Sequence, residues 1–271
     1  MHRRIAILGH WLRGRRNGVT GPELVRSLLA PSARSKARRH IETIEDGGAE
    51  LRVRLVGERD PLYWPKGVDL RWLYMAVAEQ GRADEWHYYE TPETTVQPGD
   101  VAVDCGAAEG LFTLTAAKRA RSVYAIEPLP QWVECLHRTF AGAAHVHVLP
   151  YALSDQAGRQ RFQSGGLESR LDATGDIEVR VETVDDLFFS KGIAISYLKA
   201  DLEGQDLAML HGARQTIAQS SPRIAITTYH APEHARRMIE FLSTVNPRYR
   251  FRTKGIDSAF GVPVMLHAWV D

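Results

Sequence analysis

Two groups of residues in this chain are typed and spaced for chemistry. The first is the run VAVDCGAAEG, residues 101–110, in which apolar residues lead to Asp104 and then to Gly106 and Gly110. A carboxylate followed by a glycine turn and a helical pattern outlines a nucleotide site. In dinucleotide sites the spacing is GxGxxG, because a pyrophosphate must reach the backbone at a helix N-terminus. Here the spacing is DxGxxxG, and Glu109 stands where an incoming phosphate would be repelled. A ligand with a cationic end and no phosphate fits better, and S-adenosylmethionine carries an ammonium, a sulfonium and a carboxylate. Asp104 is expected to hold the cationic part directly or through water, with Gly106 and Gly110 supplying turn and close approach. Capping of the following helix is the ordinary alternative for Asp104. Glu127 follows about twenty residues later at the end of VYAIEP, a placement suited to accepting hydrogen bonds from both ribose hydroxyls.

The second group is Asp201 and Glu203 in LKADLEG, with Lys199 before them, and His230 in TTYH. Methyl transfer from a sulfonium is an in-line displacement governed by alignment, and a hydroxyl acceptor gains further from a base. His230 or Asp201 is the expected base, an imidazole having the ordinary pKa for that work, and Glu203 is expected to orient the acceptor. Helix capping competes for both acids. His230 and His234 are spaced i, i+4, and with Asp201 or Glu203 they could hold a divalent ion. Pro232 lies between them and breaks the helical spacing, so no metal is assigned.

The elements that must position these residues are legible as patterns. From residue 99 onward, strand-like runs alternate with helical ones: VAVDC, VYAIEP, VHVLPYAL, ISYLKA and RIAITTYH, with helices expected near 131–140, 205–218 and 232–243. Such alternation predicts a parallel sheet with helices on both faces. RYRFRTKG and VPVMLHAWV follow with no helix between them, so they should close the sheet as an antiparallel pair. The expected fold is α/β, a doubly wound, mostly parallel seven-stranded Rossmann-like sheet of the class I methyltransferase kind. RQRFQS and IEVRVETV flank GGLESRLDATGD as an excursion over the sheet edge, and AELRVRLVGER alternates as a half-buried strand followed by a DPLYWPKG loop.

Charge divides the chain. Residues 1–40 hold nine Arg and one Lys against Glu23, a local +9 in a chain of net charge +1. We read 1–50 as a basic, helical extension, 51–95 as a strand and helix leading inward, and 96–271 as the cofactor-binding domain. The basic arm suits an acidic partner, a membrane surface, nucleic acid or a second copy of the chain, or it is a solvated cap. No apolar run reaches the length of a membrane span. The twin-arginine look of RRIAILGHWLRGRR lacks the apolar length and cleavage site of a secretory signal, and a cytoplasmic location is expected. Cys105 and Cys135 are expected to be buried thiols.

TTVQPGDVAVDCGAAEGLFT, VYAIEPLPQWVECL, PYALSDQAGRQRF, LKADLEGQDLAMLHGA and VPVMLHAWV occur in an order that resembles the FkbM-type family of S-adenosylmethionine-dependent methyltransferases, over residues 50 to 271. The resemblance implies that Asp104, Gly106, Ala107 and Gly110 surround the methionine part of the cofactor. It implies that Glu127, with Pro128 beside it, holds ribose, and that Ala152, Leu153 and Ser154 line adenine. Tyr89 resembles an upstream aromatic covering the methionine end, although core packing accounts for it equally. The chain departs from the family pattern at Glu109 and Asp206. O-methylation of a small molecule, sugar or natural-product scaffold is the expected activity. A catalytically silent cofactor sensor is the alternative, and a nucleic-acid methyltransferase ranks last, because no NPPY-type motif or RNA-binding module is present. PLYWPKG, GGLESRLD and the stretch around YHAPEH are expected to build the acceptor pocket.

Overall fold

The computed structural model describes residues 2–163, 170–171 and 177–271. The basic arm forms three helices, α1 His2–Leu12, α2 Gly21–Leu29 and α3 Ala33–Ala37. Thr20 and Glu23 start α2 by exchanging hydrogen bonds in a capping box, and Pro31 separates α2 from α3. The expected helical character ends at Ala37. IETIED instead forms β1, Ile41–Asp46, paired antiparallel with β2, Glu50–Leu55, because Ile41, Thr43 and Ile44 are β-branched and meet a partner strand. The predicted PLYWPKG loop likewise contains a strand, β3 Leu62–Pro65, whose Leu62 and Trp64 are fully buried. Helix α4, Leu70–Gln80, follows an Asp69 cap.

The principal sheet begins with β4, Val101–Cys105, all of whose residues are buried, as a strand covered on both faces requires. There follow α5 Leu111–Ala117, β5 Ser122–Ile126, α6 Pro130–Thr139 and β6 Val146–Leu149. Pro150 then ends β6, and β7 Ala152–Leu153 joins a separate small sheet with β8 Gly158–Gln163, β9 Arg170–Leu171 and β10 Ile177–Glu182. The antiparallel pairing of β8 with β10 is the expected excursion. GGLESRLD lies outside the described residues except for the backbone of β9. After α7, Val184–Leu187, come β11 Tyr197–Ala200, α8 Asp206–His211, α9 Arg214–Ser220, β12 Arg223–Thr227, α10 His234–Val245, β13 Arg250–Lys254 and β14 Met265–Trp269. The single helix expected over 205–218 is two: Asp185 N donates to the Gly212 carbonyl at 2.8 Å, and the Asp185 carboxylate accepts from Gln215 N and Thr216 N at the start of α9.

The seven strands run in the order β13-β14-β12-β11-β4-β5-β6. Those from β12 to β6 are parallel, and β14 is antiparallel to both its neighbours. The chain order reverses between β4 and β11, and ligands of such sheets bind beyond the carboxyl ends of the strands at that point. The arm is packed on this frame. Ile7 and Leu24 share a buried cluster with Val19 and Ile256, Arg15 donates to the Phe260 carbonyl and Asn17 to that of Gly261.

Gly106 carries the tightest crossing near the reversal. Its φ is +75°, and a Cβ there would lie 2.1 Å from the Asp201 carbonyl oxygen. Gly106→Ala should destabilise the protein by about 3 kcal/mol or more, combining left-handed strain with overpacking. Gly142, with open space around its Cα, should accept Ala within roughly 0.5 kcal/mol. Urea unfolding of both variants checks the contrast.

Candidate functional site

The site is built on a buried ion pair. Asp104 near the end of β4 lies opposite Lys199 on β11, and Lys199 Nζ sits 2.9 Å from Asp104 Oδ1. The ammonium also donates to the Gly106 carbonyl at 2.6 Å and stands 4.9 Å from the centre of the Tyr89 ring. Thr113 donates to Asp104 Oδ2 at 2.6 Å. Asp104 has no exposed surface. It faces Lys199 and Thr113 beneath the glycine turn and is not among the residues that line the cavity described below. Lys199 is kept charged: burial would lower its pKa, but Asp104 and Asp201 raise it.

The turn itself is pinned by two bonds, Gly106 N and Ala107 N both donating to the Ile126 carbonyl at 3.0 Å. Gly106, Ala108 and Gly110 all have positive φ. A Cβ on Gly110 would meet Leu136 at 2.7 Å, so this glycine lets α5 close on α6. Glu127 is buried beside the turn, with Oε2 accepting from Ala108 N at 3.1 Å and Oε1 from Leu129 N at 3.0 Å. Each oxygen keeps a lone pair for a further donor. Burial pushes Glu127 up to about 7 against those two bonds. Glu109 is also pushed up to about 7 by burial, and it accepts from Gln80 Nε2 at 2.9 Å.

A cavity of about 600 Å³ opens against this turn, lined among others by Tyr89, Gly106, Ala107, Glu109, Asp201 and Glu203. Pro128 is partly exposed beside Glu127. Ala152, Leu153 and Ser154 are buried, and neither they nor Glu127 belong to the cavity wall.

Asp201 is held by many partners. Tyr89 Oη donates to its Oδ2 at 2.8 Å, Thr227 Oγ1 to its Oδ1 at 3.0 Å, and His87 Nε2 stands 3.2 Å from Oδ2. Tyr89 is thus both a packed core aromatic and part of the cavity wall. His87 and Glu79 were not singled out from the sequence. His87 Nδ1 lies 2.9 Å from Glu79 Oε2, so the ring is clamped between two carboxylates. Burial would lower its pKa, but Glu79 and Asp201 raise it to about 10. Burial would raise Asp201, yet His87, His230 and Lys199 hold it below the usual carboxylate range. The signal for His87 was its position two residues before Tyr89 in EWHYYE; its partner Asp201 is brought there only by the fold.

His230 lies behind the two acids, outside the residues that line the cavity. Its Nε2 is 3.2 Å from Glu203 Oε2 and 3.8 Å from Asp201 Oδ1, and its Nδ1 is 3.4 Å from Asp206 Oδ2. Burial would lower its pKa, but Asp206, Glu203 and Asp201 raise it to about 11. The three carboxylates thus favour the imidazolium over the neutral ring that the expected base would need. Burial raises Glu203 above its usual value while His230 opposes the shift. Neither Asp201 nor Glu203 caps α8, whose N-cap residue Gln205 makes no side-chain cap bond; Asp206 instead ties the turn before the helix, accepting from Leu202 N at 3.0 Å and Gly204 N at 3.2 Å. Glu203 is instead in a left-handed conformation, φ +49°. Asp201, Glu203 and His230 offer ligand atoms within 4.8 Å of one another. A divalent ion there would have to replace the ring proton. His234 opens α10 and stays outside that cluster.

The parallel strands, the reversed β14 and the crossover point define a class I methyltransferase fold. The Methyltransferase FkbM domain matches residues 104–253, and the chain belongs to that family. It is similar to a methyltransferase FkbM from Methylobacillus flagellatus KT, at 20% identity and TM-score 0.53, over 75% of this chain and 55% of that one. The chain thus spans about half the length of that relative. It is also similar to an rRNA methylase from Streptococcus thermophilus, at 15% identity and TM-score 0.42, over 65% of this chain and 90% of that one. No curated protein matches the chain.

Removing Lys199 leaves Asp104 buried without a counter-ion. Lys199→Met should cost about 3–5 kcal/mol in thermal or urea unfolding, and adding Asp104→Asn should restore a large part of that loss.

Proposed function

We propose that this chain transfers the methyl group of S-adenosylmethionine to a hydroxyl of a small-molecule or sugar-containing acceptor. The observation that carries this reading is the shared cavity: the glycine turn at Gly106 and Ala107 and the acids Asp201 and Glu203 line one space. In this reading the backbone of residues 106–110 receives the methionine part and Glu127 accepts the ribose hydroxyls. Ala152, Leu153 and Ser154, beside Pro128 and Glu127 at the strand ends, back the adenine. The cofactor supplies an electrophilic methyl on sulfur.

The chain supplies alignment and a proton acceptor. As the acceptor oxygen bonds to the methyl carbon, the carbon–sulfur bond breaks to leave a neutral thioether, and the hydroxyl proton passes to a carboxylate. Glu203 suits that role better than Asp201. It lines the cavity, burial raises its pKa, and a higher pKa gives stronger driving force for proton uptake. Asp201, already engaged by Tyr89, Thr227 and His87, orients. His230 keeps Glu203 ionised.

Glu203→Gln should lower kcat by about 10²–10⁴ while leaving S-adenosylmethionine affinity unchanged by calorimetry. The active form of the base is the carboxylate, so kcat/KM should fall as pH drops through its raised pKa. His230→Gln removes the cation that favours the carboxylate, and the acid limb of the profile should move to higher pH. An acid limb that stays in place in His230→Gln would refute the assigned base.

A further inference from the structure

The arm carries an exposed apolar face that the fold leaves uncovered. On α1, Ile5, Leu8 and Leu12 are 58%, 37% and 70% exposed. Their i, i+3, i+7 spacing puts them on one side of the helix, away from the buried Ile7. On the packed neighbour α2, Val25 and Leu29 are 54% and 76% exposed at i, i+4. These five are most of the large hydrophobic side chains exposed among the described residues. All nine arginines of residues 1–40 are exposed around them. Arg3, Arg13, Arg38 and Arg39 make no ion pair among the described residues. The one acid of the segment, Glu23, is turned back onto Thr20.

We propose that α1 and α2 dock this chain on an anionic lipid surface. Leucine and isoleucine on one helical face with arginine beside it is the composition that lies in a membrane interface, apolar groups among the acyl chains and guanidinium groups at the headgroups. Nucleic acid would use the arginines and leave the leucines wet. An acidic protein partner would use both, but leucine and isoleucine on two short helices, beside arginines that make no ion pair among the described residues, is the composition of a lipid interface. No helix among the described residues is long and apolar enough to cross a membrane, so the chain lies on the surface. Arg3, Arg4, Arg26 and Ala30 also line the large cavity. The docked face therefore adjoins the cavity wall, where an acceptor carried at the lipid surface would enter.

The test is co-sedimentation of the full chain with vesicles of phosphatidylcholine alone and of phosphatidylcholine with phosphatidylserine. Binding is expected to the anionic vesicles only and to weaken with salt. Leu12→Glu and Leu29→Glu, both at open positions, should each weaken it about tenfold or more, as should Arg3→Gln with Arg13→Gln. Unchanged melting temperatures would show that the variants fold. Three outcomes would overturn the proposal: no binding to either vesicle, tighter binding to duplex RNA that Leu12→Glu leaves intact, or a dimer in sedimentation velocity that Leu12→Glu dissolves. The readout needs neither cofactor nor acceptor, so it is independent of the proposed methyl transfer.

Discussion

The ammonium of Lys199 is the point from which the site is hung. It neutralises Asp104, holds the Gly106 carbonyl, and lies under the Tyr89 ring whose hydroxyl reaches Asp201. One buried cation thus fixes the end of β4, the first glycine of the turn and the aromatic wall of the cavity. A buried pair of this kind adds little net stability over apolar packing, and its value lies in fixing one arrangement. Once Lys199 is placed, the turn can take only a course that passes within contact distance of the segment after β11, and a side chain at Gly106 has no room.

That closeness explains where strain is kept. Ala108 and Glu203, neither of them glycine, both have positive φ, and they flank the same cavity from β4 and β11. Such conformations cost of order 1–3 kcal/mol each and persist where the surroundings over-determine them. Around Ala108 the determinants are the two bonds to Ile126 and the bond from its own N–H to Glu127. Around Glu203 they are the bonds from Leu202 and Gly204 to Asp206. The reward is a carboxylate aimed at the cavity instead of at its own helix.

The sheet and its reversed last strand were legible because period and punctuation are local properties of sequence. The identity of the site acids was legible for the same reason: Asp201, Glu203 and Glu127 end strands. What Asp104 and His230 do was not legible, because burial and partners decide it. Asp104 reads as a ligand contact until Lys199, far along the chain, is seen to occupy it, and His230 reads as a base until three carboxylates surround it. His87 was missed because its partners Glu79 and Asp201 sit on opposite sides of it in the sequence and meet only through the fold. β1 and β3 were misread because the short runs that form them carry too few residues for a period to declare itself.

The charge balance of the site argues for the kind of ligand it takes. His87 and His230 stand among four carboxylates, Glu79, Asp201, Glu203 and Asp206, and Lys199 pairs with Asp104, so acids outnumber cations in this group. Glu109 and Glu127 make no ion pair among the described residues, and burial pushes each up to about 7 while the charge of Lys199 opposes the shift. A pyrophosphate would add negative charge beside two acids that burial already disfavours. A ligand bringing an ammonium and a sulfonium would do the opposite, drawing those carboxyls back toward their ordinary range, and the hydroxyls of a ribose would donate to the lone pairs left on Glu127. The surplus of carboxylates around the cavity, more than Asp104 alone, therefore argues against a phosphate-bearing ligand and for a cationic one.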